Sequence, residues 1–128
     1  MRTKTATLFT LGFVLAAAAM AQVVRNEMVA TLTGSGLAAG KAKYKAVTKP
    51  RQVEAQVEVE AEDLVPGATY SIRIEGLKQV TTTADSFGSI VGTWRFRNEA
   101  LPSLTPGGTL YVNDASGNTV LAGVWRAK

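Results

Sequence analysis

QVEAQVEVEAEDLVPGATYSIRIEG, residues 52–76, is the stretch of sequence that decides the fold of this chain. Apolar and polar residues alternate strictly in its first part, and the apolar ones are Val53, Ala55, Val57, Val59 and Ala61. A period of two places the two sets on opposite faces of a β-strand, whereas a helix would spread both around its circumference. The pattern predicts a strand with one buried and one wet face, which is typical of antiparallel sheets.

A turn and a second half-buried strand follow. Pro66 presets φ for a turn, Gly67 tolerates a positive φ, and the apolar residues then alternate again from Tyr70 to Ile74. The spacing Leu-x-Pro-x-x-x-Tyr from Leu64 to Tyr70 resembles the tyrosine corner of fibronectin type III and related immunoglobulin-like sandwiches. In that corner the tyrosine hydroxyl bonds to the backbone upstream. The resemblance implies a sandwich architecture and no functional residues; an ordinary Pro-Gly turn beside a core tyrosine has the same sequence.

The N-terminus has the three parts of a secretory signal peptide. Residues 1–4 are basic, residues 8–19 are apolar, and Ala19-Met20-Ala21 fits a small-residue cleavage site. The apolar run is too short for a comfortable transmembrane span. We therefore expect cleavage after Ala21, a single mature domain over residues 22–128, and a secreted or periplasmic product of bacterial type that has no membrane contact after cleavage.

The amino-acid composition lacks the residues that several kinds of catalytic and metal-binding site require. The chain has no cysteine and no histidine, so disulfides, zinc sites, Cys or Ser-His nucleophiles and histidine acid–base catalysis lack their usual residues. Of the 14 basic residues, Arg2 and Lys4 belong to the signal peptide, which leaves 12 against 10 acidic residues and a formal charge of +2. No basic stripe with interleaved aromatic rings is present, so no nucleic-acid partner is expected, and no cofactor is predicted.

Eight segments of the mature chain have strand-like alternation, separated by turns that contain glycine, proline or aspartate. They are residues 27–33, 41–47, 53–61, 70–75, 77–83, 89–96, 109–113 and 119–126. No helix of useful length is predicted. The fold class is therefore all-β, and we expect a single antiparallel β-sandwich of about seven or eight strands.

Lysines and glutamates are expected to face each other on the first long hairpin. If Val47 lies opposite Gln52, then Lys45 meets Glu54 on the wet face, and such pairs specify the register. The lysine row could instead bind an anionic ligand, but we favour a solvated ladder because the glutamates neutralise it.

The carboxylates have two further interpretations. The densest group could include a catalytic pair of the glycosidase type, although solubility and register explain it better; its members are Glu54, Glu58, Glu60, Glu62 and Asp63. Asp85 and Asp114 lie in Gly-containing turns, and residues 114–118 faintly resemble a calcium loop. Calcium prefers six to eight oxygen ligands, so we favour Asx turns and predict no metal site.

Three short motifs occur twice in the same order. The Leu-x-Pro-Gly-x-Thr sequence of residues 64–69 recurs at 104–109, and Asp85-x-x-Gly recurs at Asp114. Gly-x-Trp-Arg occurs at residues 92–95 and again at 123–126. A decayed duplication and convergent turn chemistry both explain this repeat, and we favour convergence.

The aromatic residues suggest one alternative function. Trp94 is predicted to be buried, with Gly92 making room for a neighbouring ring. Trp125 and Tyr111 are the candidate binding residues, since either face of the last strand could be exposed. Our first hypothesis is an exported, non-enzymatic module with a structural or interaction role, whose partner is a polysaccharide or another cell-surface protein. The alternative is a carbohydrate-binding module that uses these exposed aromatic rings.

Overall fold

The computed structural model describes residues 23–128, and the predicted signal peptide, residues 1–21, lies outside the described residues. The described part consists of nine strands. They are Val24–Thr33 (β1), Ala39–Lys49 (β2), Gln52–Glu62 (β3), Thr69–Ile74 (β4), Val80–Thr83 (β5), Ile90–Arg97 (β6), Thr109–Asp114 (β7), Thr119–Val124 (β8) and Arg126–Ala127 (β9). All of their pairings are antiparallel, which confirms the predicted all-β class. No membrane-crossing helix is found among residues 23–128.

Hydrogen bonds join the strands into one sheet rather than two clearly separate layers. The strand order is β5-β4-β7-β8-β1-β2-β3-β6, with β9 on the free part of β1. The two halves are linked where Thr33 of β1 pairs with Ala122 of β8. The end strands β5 and β6 also contact each other, so the sheet curls into a nearly closed barrel. The strands therefore do not divide clearly into the two stacked sheets of the expected sandwich.

The last predicted strand, residues 119–126, is divided between two neighbours. β8 pairs with β7 as far as Val124, and β9 begins at Arg126 beside β1. Between them, Trp125 donates its backbone N–H to the Gly108 carbonyl at 2.9 Å and accepts from the Gly107 N–H at 2.7 Å. The chain therefore changes neighbours at Trp125, whose side chain turns into the core.

The core lies on the inner face of this curled sheet and contains only apolar and aromatic residues among those described as buried. Trp94 is buried as predicted, and Phe96 is half-buried. A Cβ on Gly92 would lie 2.6 Å from Ile72 Cδ1 and 3.5 Å from the Trp94 ring. Gly92 therefore makes room chiefly for the Ile72 methyl group of β4, and only secondarily for a ring.

The β2–β3 hairpin has the predicted faces and a different register. Val47 lies opposite Glu54 rather than Gln52, and every other pair is displaced by the same two residues. β2 extends to Lys49, so only two residues remain for the turn before β3. A shift of two leaves the buried and wet faces unchanged. The predicted burial of this hairpin is therefore confirmed, and the predicted charge pairs are wrong.

The turn before β4 makes the contact that the tyrosine-corner resemblance implies. The Tyr70 hydroxyl accepts a hydrogen bond from the Val65 N–H at 2.9 Å. Tyr70 and Leu64 are both buried, and Gly67 has a φ of 78°. The hydroxyl thus ties the start of β4 to the turn that precedes it.

The repeated motifs match each other only in their turns. Residues 65–68 and 105–108 close in the same way, with N–H to carbonyl distances of 3.1 and 3.0 Å, and the strands that follow them, β4 and β7, are neighbours. The Gly-x-Trp-Arg copies differ, because Trp94 lies within β6 and Trp125 lies between β8 and β9. The two copies therefore share a turn geometry but place their tryptophans differently.

Candidate functional site

The outer faces of β1, β2, β3 and β6 form a concave face, and together with Lys128 they enclose a depression with a volume of about 800 Å³. Alternate residues of each strand point outward and line it. Its basic residues are Arg25, Lys43, Lys45, Lys49, Arg95, Arg97 and Lys128. Its acidic residues are Glu27, Glu54 and Glu58. The formal charge of these lining residues is +4, although residues 23–128 as a whole carry only +2.

The strand registers arrange these side chains in rows across the sheet. Of the outward-facing rows that cross all four strands, the one nearest the β2–β3 turn contains Arg25, Val47, Glu54 and Arg97. The next row contains Glu27, Lys45, Gln56 and Arg95. Farther from the turn the charges cancel, because Lys43 lies opposite Glu58 and Lys41 lies opposite Glu60. The positive charge is therefore concentrated at the hairpin end of the face.

We call this end the basic patch. It comprises Arg25, Lys45, Lys49, Arg95, Arg97 and Lys128. All six side chains are exposed, as strands with one wet face require. Since they come from three different strands, β1, β2 and β6, and from Lys128 after β9, the patch exists only in the folded chain.

Two acidic residues at the patch already have cationic partners. Glu27 Oε1 accepts a hydrogen bond from Lys128 Nζ at 3.1 Å, and Glu54 Oε2 lies 3.9 Å from Arg97 Nε. The Gln52 amide also donates to Glu54. Within residues 23–128, the basic residues of the patch outside these ion pairs are Arg25, Lys45, Lys49 and Arg95. Positive charge is thus left available to a partner.

Two groups beside or beneath the patch, Glu27 and Tyr44, have shifted pKa values. The Lys128 hydrogen bond and charge, helped by the charges of Lys45 and Arg25 and opposed by burial, lower the pKa of Glu27. Burial raises the pKa of Tyr44, which lies beneath the patch, so its hydroxyl stays neutral.

The two predicted binding aromatics lie in different environments. Trp125 is 2% exposed in the core, and its indole Nε1 has no hydrogen-bond partner among the described residues. Tyr111 is 38% exposed on the outer face of β7. It lines a shallow, mainly apolar groove of about 430 Å³ together with Thr31, Thr109 and Arg126. Of the two rings, only Tyr111 reaches the surface.

The predicted Asx turns are confirmed. Asp85 Oδ1 accepts hydrogen bonds from the N–H groups of Phe87 and Ser89, both at 2.9 Å. Asp114 Oδ1 accepts from the amides two and four positions later, at 3.0 and 2.9 Å. Both carboxylates therefore stabilise their own turns. No group of three or more potential metal-ligating side chains occurs in the part of the chain that the structure describes.

Sequence reasoning noticed only part of the basic patch. It considered Lys45 with the lysine row of β2 and judged that row neutral, which fits the balanced rows but not the hairpin end. The residues it missed are Arg25, Lys49, Arg95, Arg97 and Lys128. Their positions within the alternation place most of them on wet faces, but only the strand order brings those faces together.

Comparison with protein-family models finds no match. Comparison with curated proteins finds none of significant similarity. Function is therefore inferred from the geometry and charge of the chain itself.

Proposed function

We propose that this chain is an exported, non-enzymatic interaction module that binds an anionic macromolecule on the basic patch. The observation that supports this is the charge of the concave face, where seven basic residues stand against three acidic ones. The signal-peptide-like N-terminus supports export, and the lack of histidine and cysteine supports a non-enzymatic role. The Tyr70 corner supports a relationship to immunoglobulin-like sandwiches, which we also propose.

The exposure of the patch determines what kind of binding it can support. A single solvent-exposed ion pair contributes only about 0.2–1 kcal/mol, because water and salt screen it. Useful affinity therefore requires a partner long enough to touch several cations at once. A concentrated positive field also accelerates association with such a partner, and this effect weakens as ionic strength rises.

The test measures binding of the purified protein to two fluorescent anionic polymers, dextran sulfate and polyglutamate, with uncharged dextran as the reference. We expect binding to at least one anionic polymer, and we expect it to weaken about tenfold or more between 20 and 200 mM NaCl because the contacts are exposed charges. Lys45→Gln combined with Arg95→Gln should weaken it by about tenfold, the equivalent of two lost ion pairs.

The matched control is Lys41→Gln combined with Lys43→Gln. It removes the same charge from rows in which glutamates already oppose the lysines. We expect its effect to be much smaller than that of the patch variant. Equal weakening by the two double variants, or binding that does not respond to salt, would contradict the proposal.

A second candidate function is binding of a neutral carbohydrate in the Tyr111 groove. The half-exposed ring offers a stacking face, and the hydroxyls of Thr31 and Thr109 with the guanidinium of Arg126 offer hydrogen bonds beside it. This alternative rests on Tyr111, since Trp125 is buried. Neutral oligosaccharides should bind equally well to the unmodified protein and to Tyr111→Phe, which keeps the ring. They should bind more weakly to Tyr111→Ala, which lacks it. Unchanged binding by Tyr111→Ala would exclude the groove.

A further inference from the structure

We infer that the anionic macromolecule is an acidic polysaccharide with widely spaced charges, lying across the strands of the basic patch. This inference rests on the proposed function and specifies its ligand. Three properties of the patch carry it: the burial or half-burial of the large apolar side chains that line it, the spacing of the cations, and the amide placed between two of them.

The patch offers little to a partner that needs apolar anchors. The large apolar and aromatic side chains that border it, Met28 and Tyr44, are buried, and the valines there, Val29 and Val47, are half-buried. Single-stranded nucleic acids are held by stacking of their bases on aromatic rings. An amphipathic helix of a protein partner lays its apolar face in a hydrophobic groove. A hydrophilic polyanion needs neither feature.

The cations are far apart along each row. Lys45 and Arg95 lie in one row with one strand between them, so their backbones are about 10 Å apart at the usual strand spacing. Arg25 and Arg97 end the neighbouring row with two strands between them, which gives about 14 Å. The shorter distance is close to the length of a disaccharide unit. A polymer with one acidic group on every second sugar therefore matches the spacing of Lys45 and Arg95.

The side chain between the two cations also fits a sugar. Gln56 is exposed and lies between Lys45 and Arg95 in the same row. Its amide has two donor hydrogens and an acceptor oxygen, which is the set of groups that sugar hydroxyls can satisfy. The sequence of cation, amide and cation thus corresponds to acidic sugar, neutral sugar and acidic sugar. An extended acidic peptide, with a carboxylate about every 3.3 Å, would place most of its charges between the cations.

The experiment compares three polyanions at 100 mM NaCl, with concentrations expressed per carboxylate. Hyaluronan oligosaccharides have one carboxylate per disaccharide, polygalacturonate has one per sugar, and polyglutamate has one per residue. We expect hyaluronan oligosaccharides to bind the protein at least about fivefold more tightly than polyglutamate. Gln56→Ala should weaken hyaluronan binding by about fivefold and leave polyglutamate binding unchanged, because it removes hydrogen bonds and no charge.

Thr83→Ala, on the exposed surface of β5, is the matched control and should leave binding of all three unchanged. Tighter binding of polygalacturonate, or an unchanged hyaluronan affinity in Gln56→Ala, would overturn the inference. Polyglutamate binding as tight as hyaluronan binding would point to an acidic protein partner, which overturns this inference and leaves the proposed function standing. Binding of no polyanion would overturn both.

Discussion

Replacing Tyr70 with phenylalanine tests whether the corner hydrogen bond stabilises the fold. Tyr70 is 4% exposed, so the substitution keeps the buried ring and removes only the hydroxyl that accepts from the Val65 N–H at 2.9 Å. An intramolecular hydrogen bond makes a net contribution of about 0.5–1.5 kcal/mol to the free energy of unfolding. Val65 is 63% exposed, so water near the turn can partly replace the lost acceptor. We therefore expect a loss near the middle of that range, about 1 kcal/mol.

Urea unfolding followed by tryptophan fluorescence measures this loss, because Trp94 and Trp125 are both buried. The midpoint should fall while the m-value stays constant, and the melting temperature should fall by about 4 °C. Tyr111→Phe is the control, since Tyr111 is half-exposed. A Tyr70→Phe midpoint that moves no more than that of the control would show that the hydrogen bond does not stabilise the fold.

Two further variants test packing and electrostatics. A Cβ on Gly123 would lie 2.5 Å from the Thr31 carbonyl oxygen, which is backbone and cannot rotate away, so Gly123→Ala should cost about 1–3 kcal/mol in thermal unfolding. A Cβ on Gly36 would have open space around it, so Gly36→Ala should change the free energy of unfolding by no more than about 0.5 kcal/mol. Equal losses of stability in the two variants would show that Gly123 is not crowded. Lys128→Met should raise the pKa of Glu27 towards its ordinary value of 4.5 in an NMR titration. Because the pKa of Glu27 is lowered in the folded chain, its ion pair with Lys128 stabilises the fold fully above pH 4.5, and this stabilisation is lost as the pH falls through the folded pKa. An unchanged Glu27 titration in Lys128→Met would show that Lys128 does not lower this pKa.

The local features of the fold were predictable because alternation reports burial directly. β3 buries alternate residues from Ala55 to Ala61, and the Tyr70 contact follows from seven residues of sequence. The register of β2 against β3 was not predictable in the same way, because a shift of two residues preserves both faces. Only the length of the turn distinguishes the two registers, and β2 continues to Lys49.

The features that sequence reasoning missed are non-local. The alternation of residues 119–126 gives no sign that Trp125 leaves its strand, since the cause is the pair of hydrogen bonds to Gly107 and Gly108. The basic patch needs β1 beside β2 and β6 beside β3. The hairpin alone shows lysines opposed by glutamates. The excess positive charge becomes visible only when Arg25 and Arg95 are added from strands that are distant in sequence.

The pairing of β9 with β1 has a consequence for how the chain reaches its native state. The Lys128 side chain bonds to Glu27, 101 positions earlier, and Ala127 pairs with Met28. Contacts of such long range must overcome the entropy of closing a large loop, and they slow folding. The pairing of β9 with β1 can form only when residues 126–128 are available, so a chain that lacks them leaves this part of β1 without its neighbour.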